Sequence, residues 1–258
     1  MEKTFTLTSG ELRIPCKLLA PEDGRVRRLV LGVHGLGGST EDEIQKGIAE
    51  EMEMFYAAAL RFDFPAHGDS PLDNEWFTLP NCRESLLYAA RWLREQYPEV
   101  EDLCIFATGF GAYMTLLVLE DLVKLPGKVK LVVQTPALLM HETLLAMKGM
   151  TEPTLAALGR MSFRADRPFD VTYGFYCDLR NHIVLAAHPI PMLILQGEED
   201  AYIRPEAIQN FRRLNENSKL VIIPGASHRF LEEGAWDMVL DLTRDWFEFE
   251  QVLCCDWE

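Results

Sequence analysis

The chain has 258 residues, 48% of them hydrophobic, and a formal charge of −15 at neutral pH. That is enough apolar material for a sizeable core, as one large α/β domain or two small ones. The acidic balance argues against partners that present phosphates: neither nucleic acid nor an anionic membrane surface is expected. Six cysteines (Cys16, Cys82, Cys104, Cys177, Cys254 and Cys255) form no Cys-x-x-Cys pair or zinc spacing, so they read as reduced thiols in a reducing compartment. The start, MEKTFTLTSG, lacks a cationic segment followed by an apolar run, and no stretch has the apolar length of a membrane span. A cytoplasmic protein is expected.

In chain order, residues 4–8 and 12–19, parted by Ser9-Gly10, read as an antiparallel hairpin. Residues 28–33 (RLVLGV) form a continuous apolar strand of the kind buried in a parallel sheet, ending in HGLGGST at 34–40. A helix at 41–54 and a strand at 55–62 follow, the latter running into RFDFPAHGDS at 61–70. Residues 79–97 predict a long helix that Pro98 closes. After a strand at 103–107 and a helix at 112–119 comes another strand at 128–134. Residues 137–188 break the rhythm with short helical pieces, methionines and aromatics. It resumes with a strand at 191–196, a helix at 205–215, a strand at 219–223 and a final helix at about 232–250. This alternation predicts a mostly parallel central sheet of about eight strands with helices on both faces. Residues 1–136 and 189–258 would form that core, and 137–188 a small helical cap insertion with structure of its own. No internal repeat or low-complexity linker is visible.

The chain is organised around the stretch DLCIFATGFGAYMTLLVL at 102–119. A strand that turns within one residue into a helix brings two backbones nearly into contact, which requires small side chains; Ala107, Gly109, Gly111 and Ala112 supply them. That is the geometry of the G-x-S-x-G nucleophile elbow. Aligned on the small residues, Ala107 and Gly111 take the places of the two glycines, and Gly109 takes the place of the nucleophile. Any tight strand–helix turn, or a weak dinucleotide-type glycine loop, accounts for the same residues taken alone.

Five landmarks together resemble the α/β-hydrolase fold family over essentially the whole chain: HGLGGS at 34–39, RFDFPAHGDS at 61–70, the elbow, GEED at 197–200 and GASH at 225–228. Within it the chain is similar to small bacterial cinnamoyl/feruloyl-esterase-like (serine aminopeptidase-like) hydrolases. The resemblance implies a carboxylic-ester hydrolase, although the same landmarks serve lipases, peptidases, lyases and lactonases. It implies that Asp200, after a strand, orients His228, the general base after the last strand. The order elbow, acid, histidine is that of this fold. It implies that the backbone N–H groups of Leu36 and Phe110 form an oxyanion hole. His34 is expected to be a structural hydrogen-bonder, and no chemistry is assigned to His67 or Ser70. Tyr173 and Tyr176 are candidates for lining an acyl pocket. The implied partner is a small-molecule ester or acyl ligand. No metal or organic cofactor is implied, and a homodimer through the cap or an edge strand is left open.

The attacking atom is missing. Thr108 precedes the apex, Cys104 lies well inside the strand, and Ser227 adjoins His228 in a loop where neighbouring side chains diverge; none replaces a serine at 109. Glycine tolerates the positive φ of an elbow, which costs a non-glycine residue about 1–3 kcal/mol. An engineered loss and a natural departure both fit. Three readings remain open: an esterase-lineage protein without its nucleophile, a non-catalytic ligand-binding pseudo-hydrolase, and an enzyme that uses the His–Asp pair as a general base without a nucleophile.

Overall fold

The computed structural model describes residues 1–249; Cys254, Cys255 and the last position of the expected final helix lie outside the described residues. Strands β1 (Glu2–Ser9) and β2 (Leu12–Leu19) form the opening hairpin, with Ser9 opposite Leu12. The remaining strands of the main sheet are β3 (Arg28–Val33), β4 (Ala57–Phe62), β5 (Asp102–Thr108), β6 (Lys128–Gln134), β9 (Met192–Gly197) and β10 (Lys219–Ile223), where β7 (Arg160–Phe163) and β8 (Phe169–Thr172) form a separate hairpin. The spatial order is β1-β2-β4-β3-β5-β6-β9-β10 in one eight-stranded sheet. From β4 to β10 every neighbour is parallel, and β2 joins that block antiparallel. The expected mostly parallel sheet of about eight strands is what the chain forms.

Helices cover both faces. They are α1 (Glu43–Glu53), α2 (Leu79–Gln96), α3 (Gly109–Leu117), α4 (Leu119–Leu122), α5 (Met140–Lys148), α6 (Glu152–Leu158), α7 (Tyr173–Asn181), α8 (Pro205–Leu214) and α9 (Ala235–Trp246). The period-2 alternation of a strand divides β5 cleanly: Cys104 and Phe106 pack on the α1 and α9 side, and Leu103, Ile105 and Ala107 on the side of α2, α3 and α8. With both faces covered, β4 and β5 are buried at every position, hence their largely apolar sequences, interrupted only by Arg61 in β4 and by Asp102 and Thr108 at the ends of β5. Three helix starts carry side-chain caps: Asp42 accepts from Ile44 N–H at 3.1 Å, Thr78 from Asn81 N–H at 3.4 Å and Thr172 from Phe175 N–H at 3.1 Å.

The segment between β6 and β9 holds α5, α6 and α7 and also the β7–β8 hairpin, a strand pair the sequence reading did not anticipate among its helical pieces. It is fastened to the rest of the fold by specific bonds. Arg167, in the hairpin turn, donates to the carbonyls of Ser70 and Leu72, the latter at 2.8 Å. Asp170 N–H donates to Asn74 at 3.0 Å, and Tyr113 Oη–H to the His182 carbonyl at 2.7 Å. Among the described residues no helix is long and apolar enough to cross a membrane.

The parallel strands bring their C-terminal ends to one edge, where loops carry ligands in open α/β sheets. That edge gathers the 34–40 loop after β3, the β5–α3 turn, the loop after β9 and the loop after β10.

Candidate active site

The β5–α3 junction has no connecting residue: β5 ends at Thr108 and α3 begins at Gly109, which takes φ 49°. The tightness is set by Gly111, where a Cβ would lie 2.4 Å from the His34 carbonyl oxygen and 2.5 Å from that of Val33. Only glycine allows α3 to start this close to the chain leaving β3. At Gly109 the opposite holds. A Cβ there would meet only Gly35 Cα at 3.9 Å and His228 Nε2 at 4.0 Å. The backbone is bent as an elbow requires, and the apex points into room bordered by an imidazole.

His228 lies in the loop after β10, and its Nδ1 is 2.8 Å from Asp200 Oδ2. Asp200 follows β9 and is held from three further directions. Its Oδ1 accepts the N–H groups of Tyr202 (2.8 Å) and Ile203 (3.1 Å), and its Oδ2 accepts Gln196 Nε2–H at 3.0 Å. The carboxylate side chain is 1% exposed and the imidazole 25%, so the acid is sealed and the base reaches solvent. Burial alone would raise the Asp200 pKa, but the bonds from His228, Tyr202 and Ile203 outweigh it and hold the carboxyl below its ordinary value. An ionised carboxylate only accepts, so Nδ1 carries the ring proton and Nε2, in the neutral ring, carries the lone pair. Among the described residues Nε2 has no hydrogen-bond partner.

Supports of Asp200 escaped the sequence reading. The two amides have no side-chain signature, although an aspartate bonding N–H groups two and three residues on is an Asx-type turn. Gln196, buried at the end of β9, gave no signal beyond its place before the turn. Tyr202 sets its ring edge-to-face against His228, centroids 5.3 Å apart and planes at 88°.

On the other side of the elbow, the Gly38 N–H closes a turn on the Gly35 carbonyl at 3.1 Å. Leu36 lies within that turn, and its N–H has no acceptor among the described residues. Phe110 is in the first turn of α3, where N–H groups lack intrahelical acceptors. Its ring is buried against Phe64 and Phe77, with centroids 5.5 and 5.7 Å away. His34 does what was expected of it. Its Nε2 accepts the Phe64 N–H at 3.1 Å, its Nδ1 donates to the Gly35 carbonyl at 2.8 Å, and burial pushes its pKa down to about 4. Asp63 joins the same loops, accepting from Thr40 N–H at 2.6 Å and Asp69 N–H at 2.9 Å.

None of the three alternative nucleophiles is hydrogen-bonded to His228. Cys104 is fully buried with its thiol pushed up to about 12 by desolvation. The Thr108 hydroxyl lies towards the 34–36 loop, 3.4 Å from where a Gly35 Cβ would stand, and Ser227 N–H is bonded to Glu232 at 3.0 Å. The structure does not draw Tyr173 and Tyr176 into this group. Both hydroxyls donate to Glu152, at 3.2 and 3.4 Å, and the two rings stack on one another with centroids 6.0 Å apart. A cavity of about 160 Å³ does adjoin the acid loop, lined by Leu138, Leu139, Glu142, Tyr202, Ile203 and Arg204 among others. Among the described residues no three His, Cys, Asp or Glu side chains converge as metal ligands would.

No protein-family model matches this chain, and no curated protein does. Solved structures do. The Est1E protein of Butyrivibrio proteoclasticus bound to ferulic acid superposes with a TM-score of 0.75 at 19% identity, covering 95% of this chain and 98% of that one. A soluble variant of monoglyceride lipase from Saccharomyces cerevisiae, in complex with a substrate analogue, gives 0.79 at 15% identity with 96% of each chain covered. Mouse alpha/beta hydrolase domain-containing protein 10 gives 0.74 at 15% identity over 95% of this chain and 98% of that one. At such identities the likeness shows the fold: this chain has the α/β-hydrolase fold.

Proposed function

We propose that this α/β-hydrolase-fold chain binds the carbonyl of a small carboxylic ester or acyl compound at the Gly109 turn, in an acyl-transfer site of esterase type that lacks its own nucleophile. One observation carries the reading. His228 is paired with Asp200 through Nδ1, and its Nε2 stands 4.0 Å from where a Cβ of residue 109 would be. A hydroxyl on that carbon would come within the hydrogen-bond reach of about 2.6–3.2 Å that a nucleophile and its base need.

In this reading the substrate carbonyl oxygen is received by the N–H groups of Leu36 and Phe110, which have no other acceptor among the described residues. These donors act where negative charge develops, and their fixed placement spares reorganisation in the transition state. His228 takes a proton from the attacking group and returns it to the leaving oxygen, while Asp200 keeps the ring in the right tautomer and favours its cationic form. Without a hydroxyl at 109 no acyl-enzyme forms. Carbonyl polarisation and binding alone leave roughly 10³- to 10⁴-fold catalysis over water. The 137–188 segment serves as the cap over the substrate entrance. Ferulic acid on one structural neighbour and a substrate analogue on another favour a ligand of modest size with an apolar acyl part.

Hydrolysis of p-nitrophenyl butyrate by the wild-type chain, Gly109→Ser and Gly109→Ser/His228→Ala tests this. The expected outcome is slow or undetectable turnover by the wild type, a large gain with Gly109→Ser, and loss of that gain without His228. A folded Gly109→Ser that gains nothing contradicts the proposal and leaves a pocket used for binding alone.

A further inference from the structure

The room in front of Gly109 has reactive groups around it and, among the described residues, no side chain that fills it. Its nearest boundaries, from the place a Cβ would take, are Gly35 Cα at 3.9 Å and His228 Nε2 at 4.0 Å. Nε2 holds a lone pair with no partner among the described residues, because Asp200 fixes the ring proton on Nδ1 at 2.8 Å. The imidazole is a quarter exposed, so a small molecule from solvent can reach it. The Leu36 and Phe110 amides border the same turn. A base, an approach from solvent and unpaired donors thus surround a space that serine would fill and glycine does not.

We propose that this space is a binding site for a second substrate, an external protic nucleophile of the size of water, methanol or hydroxylamine, which performs the attack that no side chain here can make. The inference rests on the ester-site reading above and adds to it what completes the reaction. An unbonded guest must keep a van der Waals separation of about 3.5 Å from the Gly109 Cα, where a serine would be covalently attached. The space a serine hydroxymethyl would take therefore suits a guest of one or two heavy atoms. The step balances. The guest's oxygen or nitrogen bonds to the substrate carbonyl carbon while its proton passes to His228 Nε2. The oxyanion collapses, the bond to the leaving alkoxide breaks, and the same proton goes to that oxygen. Ester and nucleophile become a new acyl compound and an alcohol, with no change of oxidation state. With water the product is an acid; with methanol it is a methyl ester. Alanine at 109 would narrow the site: its methyl would stand 4.0 Å from Nε2, leaving a guest only positions to the side of the line between the two.

The experiment gives the wild-type chain p-nitrophenyl butyrate with rising methanol and measures both p-nitrophenol and methyl butyrate. The expected result is a rate that rises and saturates in methanol, with methyl butyrate as product and general-base assistance of about 10²- to 10⁴-fold. His228→Ala should lose the saturable part, and Gly109→Ala should raise the methanol concentration at which it saturates. A purely linear methanol dependence, or a response unchanged by His228→Ala or by Gly109→Ala, overturns the inference. Gly109→Ser is assayed in parallel and shows whether the turn accepts a Cβ at all. If it hydrolyses the ester while the wild type ignores methanol, this inference falls and the ester site stands. If a folded Gly109→Ser is inactive as well, both fall.

Discussion

At position 109 two demands usually in conflict are both relaxed. The turn holds φ 49°, a conformation that costs an ordinary residue about 1–3 kcal/mol, and glycine adopts it without strain while giving up the attacking atom. Gly109→Ser should therefore lower the thermal midpoint, by an amount matching about 1–3 kcal/mol, even as it gains esterase activity; calorimetry beside the ester assay checks the trade. Asp200 belongs to the same scale. In a Gly109→Ser background, Asp200→Asn should lower kcat by roughly 10⁴, because an amide in that place no longer holds the Nδ1–H tautomer. A kcat within about tenfold of the parent would show that Asp200 does not orient the ring. The candidate site was legible where chemistry demands a side-chain type or a glycine: HGLGGST, the elbow, Asp200 and His228. It was illegible where main chain does the work, as with the Tyr202 and Ile203 amides, which any residues would supply.

Among the elements, sheet strands were the most legible, since strands buried on both faces must be continuous apolar runs. The strand and helix spans read from the sequence match the observed ones within a few residues. The β7–β8 hairpin was not legible. Each strand has four residues, and the turn between them is charged. Its alternation, Met161 and Phe163 inward with Phe169 and Val171 opposite, is too short to stand out from helical periodicity. Its position depends on Arg167, whose guanidinium is held by carbonyls of the 68–72 loop. Hydrogen bonds to a charged group are worth about 1.5–3 kcal/mol. Arg167→Ala should thus speed amide hydrogen exchange of the hairpin by one to two orders of magnitude, through local opening of about that energy, and leave exchange in β5 unchanged. Equal acceleration throughout would mean that the arginine supports global stability instead.

For the whole molecule, acid should be the destabilising condition. Burial holds His34 at about 4 and His67 at about 3, against about 6.5 for an unfolded histidine. Both stay neutral in the fold while the unfolded chain takes up protons. Their contribution is complete above pH about 6.5 and is lost as pH falls towards the folded values, at about 1.4 kcal/mol per pH unit per proton. Asp63 acts in the opposite sense. Burial raises it to about 6, so its contribution is present below the unfolded value of about 3.9 and is lost as pH rises towards 6. Two protons outweigh one, and stability should fall between pH 6.5 and about 4.5. Urea midpoints across that range should flatten in His67→Phe and steepen in Asp63→Asn. A wild-type midpoint that rises on acidification would contradict the assignment of neutral, buried imidazoles.

The most direct measurement of the central claim, that an imidazole–carboxylate couple faces position 109, is covalent trapping. Wild type and Gly109→Ser are treated with a fluorophosphonate and their intact masses and labelled peptides compared. One adduct per chain, at position 109 of the variant, with no adduct on the wild type, is the predicted result. A folded variant that stays unlabelled, or a wild-type chain that takes up the probe, would contradict it.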